Sequence, residues 1–174
     1  MISSKNELIT RFIPPITNNG YNEPFIMENC IVDNIDLCSA RFNEKIIIKN
    51  CIIRKIELSG TFFEQGLDFS NNVVQCYIIF EAGGHNNQSI SFINNIFNSF
   101  FCFFDCYFPE KVVVKGNIFI NGSDLLTKED PNIDNVFGNG YVVDCNLGSL
   151  DTPPEVSQKL LTEAAKKDRS VLKI

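Results

Sequence analysis

One phrase recurs in step along the chain, and it narrows the possible folds more than any other feature. Ile46-Ile-Ile-Lys-Asn-Cys-Ile-Ile53 returns in degenerate form as Phe25-Ile-Met-Glu-Asn-Cys-Ile-Val32, Leu67-Asp-Phe-Ser-Asn-Asn-Val-Val74, Ile90-Ser-Phe-Ile-Asn-Asn-Ile-Phe97 and Val112-Val-Val-Lys-Gly-Asn-Ile-Phe119. The copies start at residues 25, 46, 67, 90 and 112, so the steps are 21, 21, 23 and 22 residues. A period near twenty marks a solenoid, in which no unit buries its own apolar face and each must stack on the next.

The first two copies carry a finer beat. Met27, Val32, Leu37 and Phe42 follow at steps of five, and after one step of six the series resumes as Ile48, Ile53, Leu58 and Phe63. Two places before each stand Phe25, Cys30, Ile35, Ala40, Ile46, Cys51, Ile56 and Thr61. Residues at i−2 and i share one face of an extended segment, because side chains alternate along a strand. Each five-residue unit therefore sends two side chains inward and turns a corner through a polar pair such as Glu28-Asn29, Asp33-Asn34, Lys49-Asn50, Arg54-Lys55 or Ser59-Gly60. Four such sides close one coil, and a step of five with β-branched residues fits no helical period. Stacked coils also align Asn29, Asn50, Asn71 and Asn94 as a ladder, with Cys30, Cys51, Asn72, Asn95 and Asn117 in the next column inward. Stacked amides satisfy one another, so the role expected of these columns is structural.

The expected fold is all-β: a right-handed parallel β-helix (solenoid) of about five to six coils of 21–23 residues, with a C-terminal α-helix. Residues 1-24 form an N-terminal cap, 25-150 the β-helix domain and 151-174 the C-terminal helix and tail. In the cap, Leu8, Ile9, Phe12 and Ile13 supply the apolar contacts and Pro14-Pro15 ends the element. With 44% apolar residues and 16 Phe in 174 positions, there is ample material for one core. A formal charge of −6 argues against direct nucleic-acid binding, which needs clustered Lys and Arg. Met1 to Gly20 lacks a basic segment followed by an apolar one, and no stretch reaches the roughly 18 apolar residues of a membrane span. A soluble, cytoplasmic protein is expected. The seven Cys show no CxxC pair and no zinc-like grouping with His, which favours reduced thiols that partly face the core.

Five-residue beats of a small residue, a polar residue and then Leu or Phe resemble pentapeptide-repeat proteins, clearest in Cys38-Ser-Ala-Arg-Phe42 and from Cys51 to Phe63. The likeness covers about residues 25 to 120. It implies a four-sided right-handed parallel β-helix, although Ile or Val often stands where that family favours Asp or Asn. The phrases Ile-x-Ile-x-Asn-Cys and Phe-x-Asn-Asn also look like coils of pectate-lyase-like β-helices, which are three-sided. Both likenesses imply the same architecture and leave the cross-section open.

If i−2 and i face inward, i−1 faces outward, and on the second side that column is Ile31, Ile52, Val73, Ile96 and Ile118. A sixth copy, Tyr141-Val-Val-Asp-Cys-Asn-Leu147, adds Leu147. A contiguous outward aliphatic row marks a covered surface, so these six residues are the candidate partner-binding set. Three covers are open. One is the tail, where Thr152-Pro-Pro-Glu155 reads as a capping box before a helix with Val156, Leu160 and Ala164 on one face. The others are a homodimer mate and a different protein. Phe62, Phe101 and Phe103 or Phe104 are candidates for a second covered patch.

Two stretches break the beat. Ala82-Gly-Gly-His-Asn-Asn-Gln88 is expected to be a loop holding the only histidine, His85, as a solvated residue. Asn121 to Gly140 carries Asp124, Glu129, Asp130 and Asp134 without the spacing of a calcium loop, so no metal and no cofactor is expected. Three functions follow. The first is a non-enzymatic scaffold or protein-interaction module, with a homodimer as one of its forms. The second, implied by the lyase likeness, is a small enzyme acting on polysaccharide, for which Lys49, Arg54, Glu57 and Asp68 are the available groups. The third, implied by the pentapeptide likeness, is a DNA mimic that inhibits topoisomerases. Outward aliphatic columns suit the first best, because a mimic needs rows of carboxylates and a lyase needs a convergent set.

Overall fold

The computed structural model describes residues 2–14, 20–128 and 134–171, with the backbone alone at Ile2 and 167–171. Pro15, Glu129 and Asp130, named above, lie outside the described residues. The chain winds as a parallel β-solenoid of five full coils between residues 25 and 140, with a partial coil at each end. Side one stacks Ile2–Lys5, Phe25–Glu28, Ile46–Lys49, Leu67–Ser70, Ile90–Ile93, Val112–Lys115 and Tyr141–Asp144 in parallel. Side two stacks Leu8–Phe12, Ile31–Asp36, Ile52–Glu57, Val73–Val74, Ile96–Phe97 and Ile118–Phe119, and a bridge from Ile118 to Leu147 extends it.

The inward pairs are those that the five-residue step selects. Phe25 and Met27, Cys30 and Val32, Ile35 and Leu37, and Ala40 and Phe42 are all buried, and so are their counterparts from Ile46 to Phe63. Four buried pairs per coil make four sides. Sides two and three share one strand in the first two coils, where Asp33-Asn34 and Arg54-Lys55 put two outward residues in succession and bend the wall. Later coils separate them, with Ile78–Glu81 and Phe101–Phe104 on side three. The core is then lined by stacked rings, such as Phe42 on Phe63 at 5.8 Å and Phe97 on Phe119 at 5.0 Å.

The corner between sides one and two works through backbone conformation. Asn6, Asn29, Asn50, Asn71 and Asn94 all take left-handed φ of 55 to 57°, and Gly116 and Cys145 occupy the same place in the last coils. Asn tolerates this region better than most residues. In that outer column the Asn50 Nδ2 donates to Asn29 Oδ1 at 3.2 Å, and the longer hydrogen-bonded ladder is the next column inward. The Asn72 N–H donates to Asn95 Oδ1, the Asn95 N–H to Asn117 Oδ1 and the Asn117 N–H to Asn146 Oδ1, each at 2.9 Å. Each Nδ2 in turn donates to a carbonyl one coil earlier: Asn95 to Phe69, Asn117 to Phe92 and Asn146 to Val114, each at 2.8 Å. In the first coils the place is held by thiols, and Cys51 Sγ stands 3.5 Å from the Cys30 N–H.

Two expectations are corrected in part. Ala82 to Gln88 holds no regular strand, in keeping with a loop, but it is tied into the wall: Gly84 bridges both Phe62 and Tyr107, and His85, expected in solvent, lies between the Phe62 and Tyr107 rings at 4.0 and 5.5 Å. Its glycines let the wall close where any larger residue would meet the ring of Phe80 or Phe108. Among the aromatics proposed for a second patch, Phe101 and Phe103 point inward and are buried, Phe62 is half-buried, and Phe104 is exposed. Near the start, residues 2–12 continue the coils in register, Ile2 opposite Phe25 and Leu8 opposite Ile31. Ile9 and Phe12 pack on the core, whereas Leu8 and Ile13 are exposed.

The C-terminal helix spans Pro154–Val171, with Pro at its first turn and Glu155 beside its positive end. The Thr152 hydroxyl bonds Ser149 Oγ at 3.3 Å instead of the helix, and the Pro153 carbonyl accepts the first helical N–H groups, from Val156 and Ser157. Ser157 is buried and Val156 is exposed, so the inner face is Ser157, Leu160, Leu161 and Ala164, rotated from the one the sequence suggests. Among the described residues, no helix is long and apolar enough to cross a membrane.

Candidate interaction face

Register brings the candidate row together. Parallel pairing places Leu8 opposite Ile31, Ile31 opposite Ile52, Ile52 opposite Val73, Val73 opposite Ile96, Ile96 opposite Ile118, and Ile118 opposite Leu147. Six intervals of about 4.8 Å make a row roughly 29 Å long. Leu8 is 82% exposed, Ile31 54%, Ile52 45% and Leu147 64%, and the three middle residues are half-buried. All six residues chosen from the sequence thus stand side by side. Leu8 was missed, although Lys5-Asn6 lies 23 residues before Glu28-Asn29 and marks the same corner.

Among the described residues, the helix does not cover this row. It lies along side three, where two clefts flank it. The larger, about 530 Å³, runs between Leu160 and Ala164 and the side two–three corner at Arg54, Gln75 and Tyr77. The smaller, about 450 Å³, lies between Ser157 and Leu161 and the wall at Ile79, Phe104 and Asp124. The wall beneath the helix carries its own polar contacts. Cys102 is buried there, and its thiol donates to Asp124 Oδ2 at 3.4 Å, while the Phe103 N–H donates to Oδ1 at 2.6 Å. Burial lifts the Asp124 carboxyl above the usual carboxylate range and pushes up the Cys102 thiol.

Polar outward columns are internally paired. Glu28 binds Lys49 at 2.6 Å and Lys5 at 2.9 Å, and hydrogen bonds from Lys49 and Lys5 hold its carboxyl below the ordinary value. Arg54 pairs with Asp33, and the Asp33 carboxyl is lowered by that hydrogen bond. The four groups considered for catalysis do not converge: Lys49 and Asp68 are neighbours on side one, Arg54 stands at a corner and Glu57 on side three. Asp36, Cys38 and Glu57 do place ligand atoms within 4.8 Å of one another. Arg11 and Lys55 already neutralise the two carboxylates, however, and the Cys38 thiol is pushed up to about 11, first by burial and then by Glu57 and Asp36.

All seven cysteines are free thiols, and their surroundings differ. Cys145 is exposed at its corner, with its thiol held up by a hydrogen bond to Asp144. Burial pushes Cys51 to about 11 and Cys106 to about 12. A thiol reagent such as DTNB is expected to label Cys145 first, Cys38 and Cys76 slowly, and Cys30, Cys51, Cys102 and Cys106 only on unfolding. Cys145→Ser should delete the fast phase, and a fast phase that survives would contradict the placement.

Comparison with family models, with curated proteins and with solved structures returns no match for this chain.

Proposed function

We propose that this protein is a non-catalytic interaction module that docks a second copy of itself through the row Leu8, Ile31, Ile52, Val73, Ile96, Ile118 and Leu147. The observation that carries this is the row itself: seven aliphatic residues in register, left uncovered by the only helix among the described residues. An outward aliphatic row of this length is costly in water at roughly 25 cal/mol per Å² of apolar surface, and a partner removes that cost. The row also suits its own copy. It repeats every 4.8 Å or so, and a second row of equal period interdigitates with it as two sheets do in a sandwich.

The first two coils also support a pentapeptide-repeat identity, since within each coil one inward pair follows the last at five residues. Size-exclusion chromatography with light scattering tests the docking. Wild type is expected at twice the 19.7 kDa chain mass and Ile52→Asp at the chain mass, with unchanged circular dichroism. If wild type runs as a 19.7 kDa monomer throughout the micromolar range, the homodimer is ruled out.

A further inference from the structure

The last coil leaves its core positions open. In the first inward column of side one, Phe25, Ile46, Leu67, Ile90 and Val112 are at most 2% exposed, yet Tyr141 is 46% exposed. In the second, Met27, Ile48, Phe69, Phe92 and Val114 are likewise at most 2% exposed, and Val143 is 38% exposed. Tyr141–Asp144 is the outer strand of its sheet, paired with Val112–Lys115 on one edge. Among the described residues its other edge is unpaired, and such an edge beside open core positions is a template for another strand.

The asparagine ladder defines what fits. Each rung offers an Oδ1 to the backbone N–H of the previous rung and an Nδ2–H to the carbonyl three residues before that N–H, as Asn146 does for the Asn117 N–H and the Val114 carbonyl. Translated by one coil, the next rung would meet the Asn146 N–H and the Val143 carbonyl. The chain's own start does not supply it. The register that sets Leu8 opposite Ile31 puts Glu7 in the ladder column, and a carboxylate accepts but cannot donate to Val143. Ser4 likewise falls in the second apolar column, opposite Met27.

We propose that the C-terminal end of the solenoid captures an extended segment of a different chain, added in parallel to Tyr141–Asp144. The segment carries two large apolar residues two apart, then a residue able to adopt left-handed φ, then Asn, the pattern of Ile90, Phe92, Asn94 and Asn95. The added strand buries Tyr141 and Val143 and extends the ladder by one rung.

The probe is a synthetic, lysine-tagged peptide copying Gln88–Asn98, offered to the full chain carrying Ile52→Asp so that docking through side two does not interfere. Hydrogen exchange is read at the Tyr141–Asn146 amides. The peptide is expected to slow exchange there at least tenfold, and a peptide with Ala in place of the Asn95 residue is expected to lose the effect. In the protein, Val143→Asp should abolish protection, while Val142→Asp, facing outward, should retain it. No slowing, equal slowing by the Asn-lacking peptide, or slowing that depends on protein concentration without peptide would each overturn the proposal. The last result would mean that this end pairs with a second copy.

Discussion

Asn95→Ala is expected to lower the unfolding free energy by about 3 kcal/mol or more, measured by urea or guanidinium unfolding followed by circular dichroism. Asn95 is fully buried; its Oδ1 accepts the Asn72 N–H at 2.9 Å and its Nδ2 donates to the Phe69 carbonyl at 2.8 Å and to Asn117 Oδ1 at 3.0 Å. Alanine deletes both sides of the bridge and leaves a buried N–H and a buried C=O without it, each worth roughly 1 to 3 kcal/mol. Against a total of about 5 to 15 kcal/mol for a domain, that loss threatens folding. Asn71→Ala next door should cost only about 1 to 2 kcal/mol, because Asn71 is exposed and contributes its left-handed corner at φ 55°. Asn95→Asp adds a pH test. A buried carboxylate cannot donate to Phe69, while its protonated form can, so this variant should gain stability as pH falls. If Asn95→Ala unfolds within 1 kcal/mol of wild type, the inner column does not bear the role assigned to it.

The inner column and its amide-to-amide bonding were visible in the sequence, but its bonds to the backbone were not. Amides at Asn72, Asn95 and Asn117 repeat with the period, which places them one above another; only geometry tells that they bridge coils through the backbone while Asn29, Asn50, Asn71 and Asn94 set the turn. Core pairs were legible because strand alternation and a five-residue step leave few ways to bury Phe25 to Phe63. The wall at Ala82 to Gln88 was not, since polar and glycine residues there look like a loop by composition. In the fold, two glycines give the backbone room to keep bonding to Thr61 and Tyr107.

The candidate row was legible for the same reason as the core, because the residue between two inward ones must face out. What covers it was not legible. The helix is amphipathic and could lie against any apolar surface; it lies beside Cys102 and Asp124 of side three with Ser157 turned inward, and none of these stands out by periodicity. Among the described residues, the match between helix and wall leaves the row on side two outside the helix.

That same match between backbone and neighbour predicts the other large effect, at Gly84. A Cβ built there would lie 2.5 Å from the Tyr107 carbonyl oxygen and 2.8 to 2.9 Å from the Phe108 ring, and the residue sits at φ +97°. Gly84→Ala is therefore expected to destabilise by about 3 kcal/mol or more, combining roughly 1 to 2 kcal/mol of left-handed strain with a contact that backbone must move to relieve. Movement is costly because Gly84 is tied on both sides: its N–H donates to Thr61 at 3.0 Å, its carbonyl accepts from Phe63 at 2.9 Å, and the next N–H, of His85, donates to Tyr107 at 2.7 Å. Gly140→Ala separates the two contributions. Gly140 has φ +77° but nothing within 4 Å of its Cβ position, so it reports backbone strain alone, near 1 to 2 kcal/mol. The excess at Gly84 then measures how tightly the third coil is clamped between its neighbours. Equal losses at the two glycines would mean that the wall yields freely at Tyr107 and Phe108, and that the stretch from Ala82 to Gln88 behaves as a loop after all.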